Sequence, residues 1–171
     1  MHYVGVASHE GELRKAVLRL KYGRKKKVAP YLASIVSHAL VDLQLVHDPC
    51  VVTWAPTTRA RRRHRGFDQS ELIARHVGAT LRLPHRCLLR RTSERIQTGQ
   101  SRMDRLNNPC FVARRPMIGN INSVIVVDDV VTTGTTMRAV VRELVKNEYT
   151  FIVCIAPSHR VNMNTNHLQG N

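Results

Sequence analysis

Acidic residues are scarce in this 171-residue chain, where 12 Asp and Glu stand against 27 Lys and Arg for a formal net charge of +15. Such an excess points toward anionic partners: phosphorylated small molecules, nucleic acid or an acidic membrane surface. Aromatic residues make up only 5%, so base stacking would add little to any nucleic-acid contact. Paired cysteines are absent. Cys50, Cys87, Cys110 and Cys154 stand at least 23 residues apart, which excludes a CxxC zinc or redox motif and leaves reduced, structural thiols. No long apolar run occurs, because the most apolar segment, Tyr31–Val46, is broken by Ser34, Ser37, His38, Asp42 and Gln44. That excludes membrane insertion, and without a signal-peptide pattern at the N-terminus the expected compartment is the cytoplasm. There is no GxGxxG and no Gly-Lys-Thr after a glycine-rich turn, so neither a dinucleotide fold nor a Walker loop is indicated.

What is present is a chain of globular composition, 43% hydrophobic, organised around Val124–Thr136, VIVVDDVVTTGTT. Four branched apolar residues in a row, Val124–Val127, predict a strand buried on both faces. It runs into Asp128 and Asp129, then into Thr132, Thr133, Gly134, Thr135 and Thr136 ahead of a helical pattern. The free amides and positive dipole end at a helix start suit a phosphate, and the threonine hydroxyls add donors. Two carboxylates beside such a cup would repel an anion unless they meet sugar hydroxyls or a hard cation. A ribose phosphate answers both demands.

Around this centre the periodicity predicts helices over Ser8–Lys21 and Val28–Val46, the latter with Pro30 in its first turn. The basic turn Arg24–Lys27 between them reads as a solvated loop or a phosphate contact. Val51–Trp54 predicts a strand stopped by Pro56 and feeding a loop, Thr57–Arg65, that holds Arg59, Arg61, Arg62, Arg63 and Arg65. Ligands of open α/β sheets bind at such strand ends, and guanidinium forks suit phosphate oxygens. Trp54 reads as core and His64 as solvent-facing. Asp68 and Glu71 resemble a capping box opening a helix with Leu72, Ile73, Val77 and Leu81 on its apolar face. A short strand at Cys87–Leu89, a mobile loop over Arg90–Met103 and an irregular or edge segment at Asn107–Val112 follow. A helix from Thr135 to near Asn147 and a strand Phe151–Ala156 stopped by Pro157 complete a βαβ unit. One domain over residues 1–160 and a disordered tail over 161–171 are expected, with no internal repeat.

The stretch Val124–Thr136 resembles, position by position, the phosphoribosyl pyrophosphate (PRPP) motif of type I phosphoribosyltransferases. Four stretches together resemble the ComF family, whose members are associated with competence and DNA uptake: LRLKYGR (18–24), RARRRHRGFDQSELIARHVG (59–78), QTGQSRMDRLNN (97–108) and the PRPP motif. Arg65–Phe67 with Gln69 separate ComF-like proteins from other phosphoribosyltransferases, alongside Arg105 and Asn108. Two positions depart from that pattern: Thr58 stands where histidine is common and Asp68 where asparagine is. The chain also begins after the point where a four-cysteine zinc ribbon would lie.

The resemblance implies a type I phosphoribosyltransferase fold, α/β with a mostly parallel central sheet flanked by helices, and possible transfer of a phosphoribosyl group with release of pyrophosphate. It implies Asp128 and Asp129 on the ribose hydroxyls, in the catalytic position, and Thr132, Thr133, Gly134, Thr135 and Thr136 around the 5′-phosphate. Thr57, Thr58, Arg59 and Arg61 would take the pyrophosphate, with Arg65, Gln97 and Arg105 on flexible loops. Mg²⁺ would be held through PRPP and not by direct protein ligation. The alternative is a non-catalytic module that senses PRPP or binds single-stranded DNA. Neither the acceptor nor the oligomeric state is legible from these residues.

Overall fold

The computed structural model describes residues 1–92, 110–114 and 120–160. Four parallel strands form the central sheet in the order β1-β6-β5-β2. They are β1 (His2–Ser8), β2 (Cys50–Trp54), β5 (Ser123–Val127) and β6 (Phe151–His159). A separate antiparallel pair joins β3 (Leu89–Thr92) to β4 (Cys110–Ala113). The helices are α1 (Gly11–Lys21), α2 (Ala29–Asp42), α3 (Arg59–Arg65), α4 (Gln69–Leu81) and α5 (Thr135–Lys146). This is the α/β arrangement expected from the motifs, a parallel central sheet covered on both faces.

Residue parity assigns each strand residue to a core, as the period of two requires. Ile125, Val127, Val153 and Ile155 meet Val17 and Leu20 of α1, Leu32 and Val36 of α2, and Ile73 and Val77 of α4. Val124, Val126, Ile152 and Cys154 face the other way, onto Met137, Val140 and Leu144 of α5 and onto Leu89 and Phe111 of the antiparallel pair. All five residues of β5 are buried. With both faces covered, an unbroken apolar run is the stable solution and alternation is not. Trp54 is buried and His64 exposed, as expected.

Several elements differ from the sequence expectation. Strand β1 was not anticipated, because a seven-residue edge strand with a central glycine carries little periodic signal. Gly5 is there for a reason of space: a Cβ would stand 2.6 Å from the His159 Cβ across the ladder. The helix expected over Ser8–Lys21 therefore starts at Gly11, after β1 has used Ser8. The second helix ends at Asp42 and not Val46, since Gln44 turns left-handed at φ 53°. Strand β6 runs through Pro157 to His159. The Ile155 carbonyl accepts from the Asp128 N–H, so Pro157, two residues on, points its missing donor to the same side, beyond the end of β5. No ladder bond is lost there.

The arginine-rich stretch expected as a loop is largely helix α3, with Thr58 as its N-cap accepting from the Arg61 N–H at 3.2 Å. The strand expected at Cys87–Leu89 is β3, displaced to Leu89–Thr92 at the front of the expected loop. The remainder of that loop, the tail, and with them Gln97 and Arg105, lie outside the described residues. Among the described residues no helix is long and apolar enough to cross a membrane.

Candidate functional site

The carboxyl ends of all four parallel strands open onto one cleft of about 230 Å³. His9 follows β1, Thr57 follows β2, Asp128 and Asp129 follow β5, and Arg160 follows β6; each lines the cleft. Loops after parallel strands converge this way because every strand points in one direction and leaves its last residues at one edge. Thr132 and Thr136 line it from the start of α5, and Arg61, Arg65, Gln69 and Ser70 from α3 and α4.

The acid pair is held from three sides. Asp128 Oδ1 accepts the Ser70 hydroxyl at 2.9 Å and the Asp129 N–H at 2.8 Å. Asp129 Oδ1 stands 3.0 Å from Lys21 Nζ, at the end of α1. Burial, together with the Asp129 charge beside it, pushes the Asp128 carboxyl up to about 7. The site thus holds an acid whose ionised form is disfavoured until something in the cleft compensates it. After the pair, Gly134 takes φ 71° at the N-cap of α5 and contributes no capping side chain, which leaves the helix start open. Thr133 and Thr135 pair their hydroxyls at 2.8 Å next to it.

The pyrophosphate candidates separate. Thr57 and Arg61 line the cleft, whereas Thr58 and Arg59 are absent from its described lining. Helical spacing is the cause: Arg61 and Arg65, four apart, share the face of α3 that looks into the cleft. Arg62, on another face, reaches Glu71 at 3.3 Å. The Thr58 hydroxyl is engaged as the cap. In the basic turn, Arg24 donates to the His64 carbonyl at 2.7 Å and Lys26 stands 5.2 Å from the centre of the Phe67 ring, so both brace the α3–α4 elbow.

Asp68, 3% exposed, organises that elbow. Its Oδ2 accepts the Thr57 N–H at 2.8 Å, while Oδ1 accepts from Ser70 N–H at 3.1 Å and Glu71 N–H at 3.4 Å. One carboxylate therefore caps α4 and tethers the loop after β2, using both oxygens. An asparagine has a single acceptor oxygen and can serve only one of these tasks. Burial raises the carboxyl above the usual aspartate range, a cost offset in part by these donors. Asp68→Asn is accordingly expected to lose one tether, about 1 kcal/mol, and to lower the melting temperature by about 2–4 °C. Faster amide exchange at Thr57 with α4 still protected would show that the tether, and not the cap, is the bond given up.

Residues not anticipated as site members include His9, Lys21, Tyr22, Ser70, Arg91 and Arg160. Lys21 and Tyr22 fall in LRLKYGR and Ser70 in the second ComF-like stretch, so the resemblance carried a signal for them. Arg91 had none, lying where a loop was expected. In β3 its guanidinium stands 5.5 Å from the centre of the Phe111 ring, and burial and the Arg61 charge hold it below the usual arginine value. Among the described lining, Lys21, Arg61, Arg65, Arg91 and Arg160 outnumber the two aspartates, so the cleft carries an excess of positive charge that favours anions.

The phosphoribosyl transferase domain family model matches residues 86–167, a span that holds the acid pair, the threonine cup and α5. That span is just under half of the chain. It is also 29% identical over 155 residues to the DNA utilization protein YhgH of Escherichia coli O6:H1 (strain CFT073), and 28% identical over 155 residues to that of Escherichia coli (strain K12). Each alignment covers 84% of this chain and 66% of the relative, so the chain spans just under two thirds of the length of those proteins. These likenesses bear out the ComF resemblance of the motifs. The purine phosphoribosyltransferase of Pyrococcus horikoshii Ot3 aligns with a TM-score of 0.43 and 14% identity, over 78% of this chain and 85% of that one.

Proposed function

We propose that the cleft binds PRPP with Mg²⁺ and that the protein transfers the phosphoribosyl group to an acceptor, releasing pyrophosphate. The observation that supports this most is the convergence of an acid pair, an open helix start and two cations, Arg61 of α3 and Arg91 of β3, on one cleft. On this reading the ribose hydroxyls donate to Asp128 and Asp129, displacing Lys21 from the latter. The 5′-phosphate lies against Thr132–Thr136, and the pyrophosphate meets Thr57, Arg61 and Arg91. At C1 of the ribose a bond to the acceptor forms as the bond to the pyrophosphate oxygen breaks, the electron pair leaving with pyrophosphate and the acceptor's proton passing to solvent. Positive charge builds on the sugar, so the chain acts by positioning and by neutralising the leaving group. The lining is compatible with Mg²⁺ carried on PRPP, since a hard cation held near Asp128 and Asp129 would relieve their mutual repulsion. Bound through PRPP oxygens, the ion would add to the neutralisation of the pyrophosphate.

A second reading, single-stranded DNA binding with or without turnover, is favoured by the cation excess and by the likeness to proteins named for DNA utilization. Calorimetry with PRPP, with and without Mg²⁺, followed by pyrophosphate release across a panel of bases, separates the two. Mg²⁺-dependent binding with release supports transfer, and binding without release supports a sensor. Oligonucleotide affinity that falls steeply with salt and is relieved by PRPP places both anions on the same arginines. Absence of PRPP binding defeats the transferase reading.

A further inference from the structure

Gln69 is 1% exposed and lines the cleft, yet its Nε2 has no hydrogen-bond partner among the described residues. The amide cannot be turned over to relieve this. Oε1 accepts from an Arg65 guanidinium N–H at 2.8 Å, and the opposite orientation would set two donors face to face. Arg65 is itself fixed, standing 5.5 Å from the centre of the Tyr22 ring. A buried amide donor left without an acceptor is costly, and at a cavity wall an acceptor brought by a bound group would remove that cost. Tyr22, Arg65 and Gln69 come from two of the stretches that carry the ComF resemblance, and all three line the cleft.

We propose that Gln69 is a pyrophosphate-binding residue, its Nε2 donating to a phosphoryl oxygen of the PRPP leaving group beside Arg65. The neighbours decide the chemical class of acceptor atom. Arg61 lies one helical turn before Arg65 on the same face of α3, and Thr57 is tied to Asp68, the residue preceding Gln69. An oxygen entering between these groups meets two guanidinium groups, so an anionic oxygen is favoured over a neutral ring nitrogen. Ser70, next in sequence, holds Asp128, which ties the position of this donor to that of the ribose carboxylates. A neutral amide adds a directed bond without adding to the positive charge that must later release pyrophosphate.

The inference rests on the PRPP reading, and its test keeps the two apart. Wild type, Gln69→Glu and Gln69→Met are titrated at pH 8 with Mg²⁺ plus PRPP, pyrophosphate or ribose 5-phosphate, and their melting temperatures are recorded. Gln69→Glu retains an oxygen for Arg65 while removing the donor, and Gln69→Met fills similar space without polarity or charge. Both variants are expected to fold, to bind ribose 5-phosphate within about twofold of wild type, and to lose about tenfold or more in affinity for PRPP and pyrophosphate. Wild-type affinity for pyrophosphate in both folded variants overturns the assignment, as does an equal loss for ribose 5-phosphate. If wild type itself binds neither PRPP nor pyrophosphate, the PRPP reading fails and this inference with it.

Discussion

Ligand-free Asp128→Asn protein is expected to melt above wild type at pH 8, with the gap narrowing as the pH falls below 7. The Asp128 carboxyl is pushed up to about 7 by burial and by the Asp129 charge, against an ordinary value of 3.8. A raised acid binds its proton more tightly in the folded state, so stability rises as pH falls from about 7 toward the unfolded value, and is lowest where the group is forced to ionise. Three pH units correspond to about 4 kcal/mol at most. Solvent screening at the cleft reduces this to about 1–3 kcal/mol, or about 2–10 °C for a chain of this size. Asparagine keeps the Oδ1 acceptor for Ser70 and for the Asp129 N–H and removes only the charge. The same substitution is expected to weaken PRPP tenfold to a hundredfold, because one ribose hydroxyl exchanges a charged acceptor for a neutral one. Thermal scans from pH 4 to pH 8 and calorimetry decide both halves. Identical melting curves at pH 8, or unchanged PRPP affinity, would remove Asp128 from the role given to it.

Arg61→Ala should lose on the order of a hundredfold in pyrophosphate and PRPP affinity, while Arg59→Ala remains within about twofold of wild type. A guanidinium fork on a phosphate, partly shielded from water by Arg91 and the cleft wall, contributes about 3 kcal/mol at the upper end of charge-assisted hydrogen bonds. Arg59 is exposed at the first turn of α3 and absent from the described lining of the cleft. Ribose 5-phosphate serves as the control ligand, since it lacks the leaving group and its affinity should barely change in either variant. Equal effects of the two substitutions would mean that the face of α3 turned toward the cleft does not meet the anion.

Local chemistry made much of the fold readable. Val124–Val127 is apolar on both faces, so it is a central strand wherever it is placed. Asp68 has the side chain of an N-cap and the Leu72–Leu81 stripe behind it, and it caps α4. The misread elements are those in which a neighbour outweighs the local signal. Pro157 stops a strand only where its missing donor faces a partner, and β5 has already ended there. The arginines from 59 to 65 have no apolar stripe to announce a helix, and α3 is held instead by Thr58 at one end and by Arg24 across the chain at the other.

By itself the sequence determined the ingredients of the site that lie close together along the chain. Two aspartates at a strand end, the threonine cup and the helix start after it are joined by short-range geometry, and a strand followed by a tight turn and a helix presents them in one way. Only the tertiary structure decided which distant side chains complete that site. Lys21 reaches Asp129, Ser70 reaches Asp128, Arg91 joins from the antiparallel pair, and Arg61 is retained where Arg59 is not. Those choices depend on sheet order and on the rotation of each helix about its axis, which are set by apolar packing of residues far apart in sequence. A row of five arginines between 59 and 65 announces positive charge, but its partition into cleft, surface and brace exists only once α3 has docked against the end of β2.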